Sequence, residues 1–288
     1  MATHWNNRAN YNPASISRDD YIYLFSNIRT QWQNINGAPK VYNIQASQFF
    51  YNLHSAFGLS LVGDKIGLSR TLNPMVSYAY RISNENDWSL SFGVAGGVFS
   101  RFTDGTLFDP VVAVDPLLFK YVDKINVPDV NLGAEFENQH FIFGLSTTHL
   151  LSLNKASNLF TNSNHRYAYA IYKNTNSIMF DYNVGLQVVN RSRLTVFELN
   201  STIKFKHETG LRTGSREMID LGLTYRSTKQ ISFLFGVNLS PNLRVGYVYD
   251  FSYFPGYGQN GTNEIVIEYR IPSRLSSGIS CRCNSWYN

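Results

Sequence analysis

The sequence predicts an all-β fold, a transmembrane antiparallel β-barrel of about fourteen strands, with twelve to sixteen compatible with the pattern. Three observations predict it. Apolar and polar residues alternate with a period of two along much of the chain, which marks strands with one apolar and one polar face. Charged residues make up only 16% of the 288 residues, against ~25% in soluble domains, while aromatics reach 15% with nineteen Tyr and twenty Phe. Long and short connections alternate between the strands, as they do in outer-membrane barrels.

Strands are expected at 21–29, 41–49, 55–63, 74–82, 88–100, 130–137, 140–148, 165–172, 179–189, 194–206, 216–226, 230–238, 243–252 and 263–271. Trp88, Leu90, Phe92, Val94 and Val98 oppose Ser89, Ser91, Gly93, Ala95 and Gly97. Phe180, Tyr182, Val184, Leu186 and Val188 oppose Asp181, Asn183, Gly185 and Gln187. Leu243, Val245, Tyr247, Tyr249 and Phe251 oppose Arg244, Gly246, Val248 and Asp250. Ile265, Ile267, Tyr269 and Ile271 oppose Glu264, Val266, Glu268 and Arg270. No helical period persists, and no apolar run reaches the ~18 residues of a transmembrane helix.

Long connections are expected at "TQWQNINGAPK", "DKIGLSRTLN", 101–129, "LLSLNKASNLFTNSN" and "SYFPGYGQNGT"; short ones at 51–54, "SNEND", Asn138–Gln139, "KNTNS" and "SPN". Between 190 and 230 the alternation breaks, because "NRSR" is short and 207–215 is long, which leaves sixteen strands open. Aromatics at strand ends, among them Tyr21, Tyr23, Phe49, Phe50, Tyr51, Trp88, Phe99, Phe251, Tyr253 and Tyr269, suit interfacial girdles. The chain divides into an N-terminal periplasmic or plug segment (1–20), the barrel (21–271) and a C-terminal tail (272–288). A soluble β-sandwich lectin is the reading that detergent dependence would exclude.

With apolar faces toward lipid, the opposite faces carry Arg81, Glu135, Glu137, Asp181, Glu198, Lys204, Asp220, Arg226, Arg244, Asp250, Glu264, Glu268 and Arg270. Both signs interleave, and charges kept from bulk water need partners. A paired network filling a narrow lumen is expected, with a wet, open lumen as the alternative.

The chemistry-bearing motifs point away from catalysis and cofactors. There is no G-x-S-x-G, no H-E-x-x-H and no metal-ligand spacing among the six His. "GYGQNG" opens no expected helix, so it reads as a loop and not as a phosphate cradle. The Asp-Pro steps of "DPVVAVDP" fit turn chemistry as well as calcium ligation. Cys281 and Cys283 are too few for a zinc site and leave a small disulfide or free thiols. A net charge of +5, without a run of more than two Lys/Arg, excludes a nucleic-acid footprint. "MATHWNNRANYNP" lacks the apolar core of a signal peptide, so the numbering is expected to be that of a mature protein with an initiator Met.

Several motifs occur in a telling order: "NPAS" with Asn12, Pro13 and Ala14; "RTQWQNINGAPK" with Arg29, Gln31, Trp32, Gly37, Ala38 and Pro39; "GLSLVGDKIGLSRT" with Asp64 and Gly67; "VSYAYRI" with Tyr80 and Arg81; and "LSFGVAGGV". "GLTYRS", "LSPNLRVGYVYDF" and "GTNEIVIEYRI" follow. Together they resemble the PorP/SprF family of type IX secretion system membrane proteins over nearly the whole chain, while the tail from Pro272 runs past the family's usual end. The resemblance implies a non-enzymatic barrel in the outer membrane of a Gram-negative bacterium. It also implies partners among the secretion and gliding components and an exported client, whose C-terminal domain is the expected contact, beside the membrane lipid. No cofactor, nucleic acid or small-molecule substrate is expected. The alternative function is a channel for small or hydrophobic solutes.

Two site expectations follow. Arg29, Gln31 and Trp32 are suited to anchoring a plug-like loop against lumenal carboxylates, with Gly37, Ala38 and Pro39 turning into the next strand. The longest connection carries an apolar set, Leu107, Phe108, Leu117, Leu118, Phe119 and Tyr121, that suits client docking or self-plugging.

Overall fold

The computed structural model describes residues 7–16, 21–32, 35, 37–84, 88–104, 122–151, 164–175, 177, 179–192, 194–208, 215–252 and 261–272. Fourteen strands run β1 Tyr21–Thr30, β2 Lys40–Phe50, β3 Ser55–Ile66, β4 Ser69–Asn84, β5 Trp88–Asp104, β6 Val122–Asn138, β7 Phe141–Thr148, β8 His165–Asn174, β9 Phe180–Arg191, β10 Leu194–Glu208, β11 Ser215–Arg226, β12 Gln230–Asn238, β13 Leu243–Ser252 and β14 Thr262–Pro272. Each strand pairs with its sequence neighbours, and β1 pairs antiparallel with β14, from Tyr21 opposite Pro272 to Thr30 opposite Asn263. That closure leaves no open edge, which lipid requires because it offers backbone N–H and C=O groups no partners.

The burial pattern is inverted relative to a soluble protein. Leucines, isoleucines and aromatics stand on the outside, Ile28 at 60% and Leu59 at 61% exposure among them. Arg244, Lys204, Glu135, Glu264 and Glu268 rank among the largest fully buried side chains. Side-chain alternation does this directly: on β13, Arg244, Gly246, Val248 and Asp250 are buried while Tyr247, Tyr249 and Phe251 are exposed. The fold and its lipid-facing residues therefore follow the sequence's period of two.

Several connections differ from expectation. "DKIGLSRTLN" is no long loop; β3 and β4 continue through it and meet at Gly67–Leu68, with Gly67 at φ 56°. The left-handed conformation there suits a residue without Cβ, and the polar residues on either side pair across the ladder, Asp64 with Thr71 and Lys65 with Arg70. β5 and β6 likewise extend toward each other, from Trp88 opposite Asn138 to Asp104 opposite Val122, so the long connection shortens to 105–121. The irregular region needs no extra strand. β9 and β10 are joined at 192–193, and 209–214 links β10 to β11 at the terminus end, where β1 begins and β14 ends. Phe49 and Phe99, expected in a girdle, are buried on the inner face.

An arginine at mid-height on the lipid face should be costly. Tyr247→Arg or Ile267→Arg should each destabilise the barrel by roughly 2–4 kcal/mol. Urea unfolding in lipid vesicles measures it, and an unchanged midpoint for both would mean that these residues do not face lipid.

Candidate functional site

The barrel interior holds two structures, an ion network along one wall and an N-terminal segment along the other. The network begins with carboxylates and cations placed at alternate residues of neighbouring strands. Near the terminus end, Lys204 on β10 stands opposite Asp181 on β9 and Asp220 on β11. Arg244 on β13 stands opposite Glu268 on β14. Arg244 donates Nη1 to Glu268 at 2.5 Å and its Nε and Nη2 to Asp220 at 3.1 and 2.5 Å. It reaches Asp220 across β12, where Gly236 lies beneath the pair; a Cβ there would strike both side chains. Lys204 Nζ lies 3.5 Å from Glu217, and Lys206 Nζ 2.6 Å from Asp181.

A second tier lies toward the loop end. Arg29 on β1 is held by Asp250 at 2.5 Å and Glu264 at 3.1 Å, and Asn27 donates to Glu264 at 2.5 Å. Arg226 contacts Glu198 at 3.0 Å and Asp250 at 3.6 Å. Each of these five cations thus meets a carboxylate on another strand, with two carboxylates for Arg29, Arg226 and Arg244. Arg270 is buried on β14, while Arg81 stacks its guanidinium over the Phe49 ring at 5.6 Å.

Residues 7–16 occupy the other side. Two short 3₁₀ turns, Arg8–Asn10 and Pro13–Ser15, fold this segment inside the barrel. Asn12 is fully buried. Its Nδ2 donates to the Ala134 carbonyl at 3.2 Å and the Tyr169 hydroxyl at 2.8 Å, while its Oδ1 accepts from Ala14 N at 3.0 Å. Arg8 Nε contacts Glu135 at 3.1 Å, and Tyr169 also hydrogen-bonds Glu135. Asn10 accepts from Asn43 and Gln45, both at 2.5 Å, and Asn7 donates to Gln45 at 2.7 Å. Tyr11 stacks on Tyr167 and meets Tyr169 edge-on. Burial pushes the Tyr11 phenol above its ordinary value.

Two strand glycines make the seat. Gly93 on β5 and Gly133 on β6 are directly paired. A Cβ on Gly93 would run into the Pro13–Ala14 backbone, and one on Gly133 into the Asn12 amide. The Asn-Pro-Ala motif therefore rests in a two-residue depression of the wall. Neither partner of this contact is recognisable from its own strand or turn, since each is ordinary punctuation in the sequence.

The predicted Arg29–Pro39 anchor is organised differently. Arg29 does reach lumenal carboxylates, but from within β1. Gln31 uses its backbone N–H on Pro39 O at 2.9 Å, and Trp32 sits at φ 46° with 39% exposure, away from the ion network. Gly37 O accepts from Gly67 N at 2.9 Å, so the Gly-Ala-Pro turn with Ala38 docks on the β3–β4 turn beside Asp64. Tyr80 points outward to the lipid side. The segment inside the barrel is the N-terminal one, Asn7 to Ile16. Leu107, Phe108, Leu117, Leu118, Phe119 and Tyr121 lie outside the described residues, as do Cys281 and Cys283.

The Gly133 seat makes a sharp test. In a variant with Ala9→Cys and both native cysteines changed to Ser, Gly133→Val should speed maleimide labelling of position 9 roughly tenfold or more by displacing the segment. Gly96→Val, where no atom lies near, should leave labelling unchanged. Equal rates in both would show that the glycine does not seat the segment.

The fold is shared with solved outer-membrane barrels. The outer membrane protein Omp33 of Acinetobacter baumannii is 9% identical, with a TM-score of 0.51 over 87% of this chain and 98% of that chain. A TodX deletion mutant, described as a monoaromatic hydrocarbon channel, is 9% identical with a TM-score of 0.52 over 92% of this chain and 94% of that one. At such identity the likeness shows the fold alone. No curated protein sequence matches the chain. A family model, type IX secretion system membrane protein PorP/SprF, matches residues 3–269, from the interior segment into β14. The chain belongs to the PorP/SprF family of type IX secretion system membrane proteins.

Proposed function

We propose that this protein is a non-enzymatic barrel of the type IX secretion and gliding machinery, seated in the outer membrane of a Gram-negative bacterium. It supports export or surface attachment of a client protein through contacts at its two ends. The observation that carries this reading is a family match across nearly the whole barrel combined with a lumen occupied by Arg8–Ile16 and paired charges. An interior filled in this way disfavours the solute-channel reading and moves function to the rims.

Orientation follows from the connections. The end where β1 begins and β14 ends has short turns such as 51–54 and 139–140 and faces the periplasm, where other secretion components dock. The opposite end carries 31–39, 105–121, 149–164 and 253–261 and faces outward. Leu107, Phe108, Leu117, Leu118, Phe119 and Tyr121 serve there as apolar anchors for the client's C-terminal domain.

Deleting 106–121 tests the reading. Loss of the client from the surface of intact cells, with single-channel conductance unchanged, is the expected result. A large new conductance with the client still attached would assign the loop to plugging and remove the docking role.

A further inference from the structure

The outer face carries a line of cations that the sequence scatters over four strands. Lys40 on β2 stands directly opposite Lys65 on β3, and Lys65 directly opposite Arg70 on β4. Arg70 pairs with Phe102 on β5, and Phe102 with Lys124 on β6. Residues paired in this way share a face. All five are exposed, in step with the outward Tyr42, Ile44, Leu59, Leu72 and Val76. None of the four cations has an ion-pair partner among the described residues.

Like charges directly opposite on adjacent strands repel, and neighbouring strands lie only ~4.8 Å apart. A soluble protein would leave such a row to water and salt. Here its height along the barrel decides what meets it. On β4 the outward residues from Ile82 to Leu72 are apolar or aromatic with no charged group among them: Ile82, Tyr80, Tyr78, Val76, Pro74 and Leu72. At ~3.4 Å per residue and a tilt of ~40°, that stretch covers roughly 25 Å of height, the thickness of a barrel's apolar band. Arg70 is the next outward residue, so it emerges where hydrocarbon gives way to headgroups.

Strand tilt makes the row climb by roughly 3 Å per strand. Lys40, Lys65 and Arg70 therefore span about 6 Å of height, which long side chains bridge by extending their charged ends toward the polar layer. Phe102 interrupts the cations with a ring suited to the same interface. We propose that Lys40, Lys65, Arg70 and Lys124 form a binding site for phosphate-bearing lipid headgroups of the surrounding leaflet, the phosphates supplying counter-charge that no described residue gives these cations. Phosphate accepts charge-assisted hydrogen bonds from both ammonium and guanidinium donors. The site is independent of the client-docking reading, because it lies on the barrel wall and not on the loops.

Diphosphoryl lipid A, titrated onto the purified full-length protein in neutral detergent and counted by native mass spectrometry, tests the assignment. The wild type should retain it, and Lys65→Gln/Arg70→Gln should bind it about tenfold or more weakly. Lys65→Arg should bind like the wild type. If the double variant fails to give the heat-modifiable folded band, Lys40→Gln/Lys124→Gln carries the same expectation. Equal retention by wild type and the folded Gln variants would overturn the site. So would displacement of the lipid by an equal concentration of inorganic phosphate, since that would make it a free-anion site.

Discussion

A charge inside a narrow membrane barrel cannot be left to bulk water, and this requirement organises the interior. Removing a carboxylate or guanidinium from water costs several kcal/mol per ion, recovered only by close partners with good geometry. Arg244 meets that demand by lying between Asp220 and Glu268 with its three donor positions engaged. Arg29 does the same between Asp250 and Glu264. Since side chains alternate along a strand, each strand offers the lumen every second residue, and opposite signs must then coincide in register across the ladder. Closure between β1 and β14 places Arg29 directly opposite Glu264, so the same ion pairs that fill the lumen also fix where the barrel shuts.

The far wall solves the problem with a separate piece of chain. Glu135 on β6 is neutralised from the N-terminal segment by Arg8, with Tyr169 contributing a hydrogen bond. That segment can approach because Gly93 and Gly133 bring the wall down to bare backbone beneath Asn12–Ala14. Packing and electrostatics are thus coupled: a side chain added at the glycine pair would withdraw the cation from Glu135. Apolar contacts hold the same segment at both ends, Tyr11 against Ile142, Tyr169 and Ile171, and Ile16 against Phe49, Ala56 and Ala79.

Much of this was legible in the sequence, for physical reasons. The period of two in "LRVGYVYDF" and "EIVIEYRI" identifies both faces, because lipid and lumen impose opposite chemistries on consecutive residues. Inner-face charges such as Glu198, Lys204 and Asp250 follow from the same alternation. The β3–β4 turn was not legible: Asp64, Lys65, Ser69 and Arg70 read as loop residues, yet beyond the apolar band a strand can carry polar groups on both faces. The Asn-Pro-Ala seat was hidden because Asn12, Gly93 and Gly133 are far apart in sequence, and glycine in a strand announces close approach without naming what approaches. The cation row was hidden likewise, since Lys40, Lys65, Arg70 and Lys124 become neighbours only through register.

The most direct measurement is barrel stability in lipid for Arg244→Met alone and combined with Asp220→Asn and Glu268→Gln. If buried pairing organises the lumen, the single change should cost about 3–5 kcal/mol by stranding two carboxylates, and neutralising both should recover most of that loss. A single variant within about 0.5 kcal/mol of wild type, or a triple variant less stable than the single, would contradict the account.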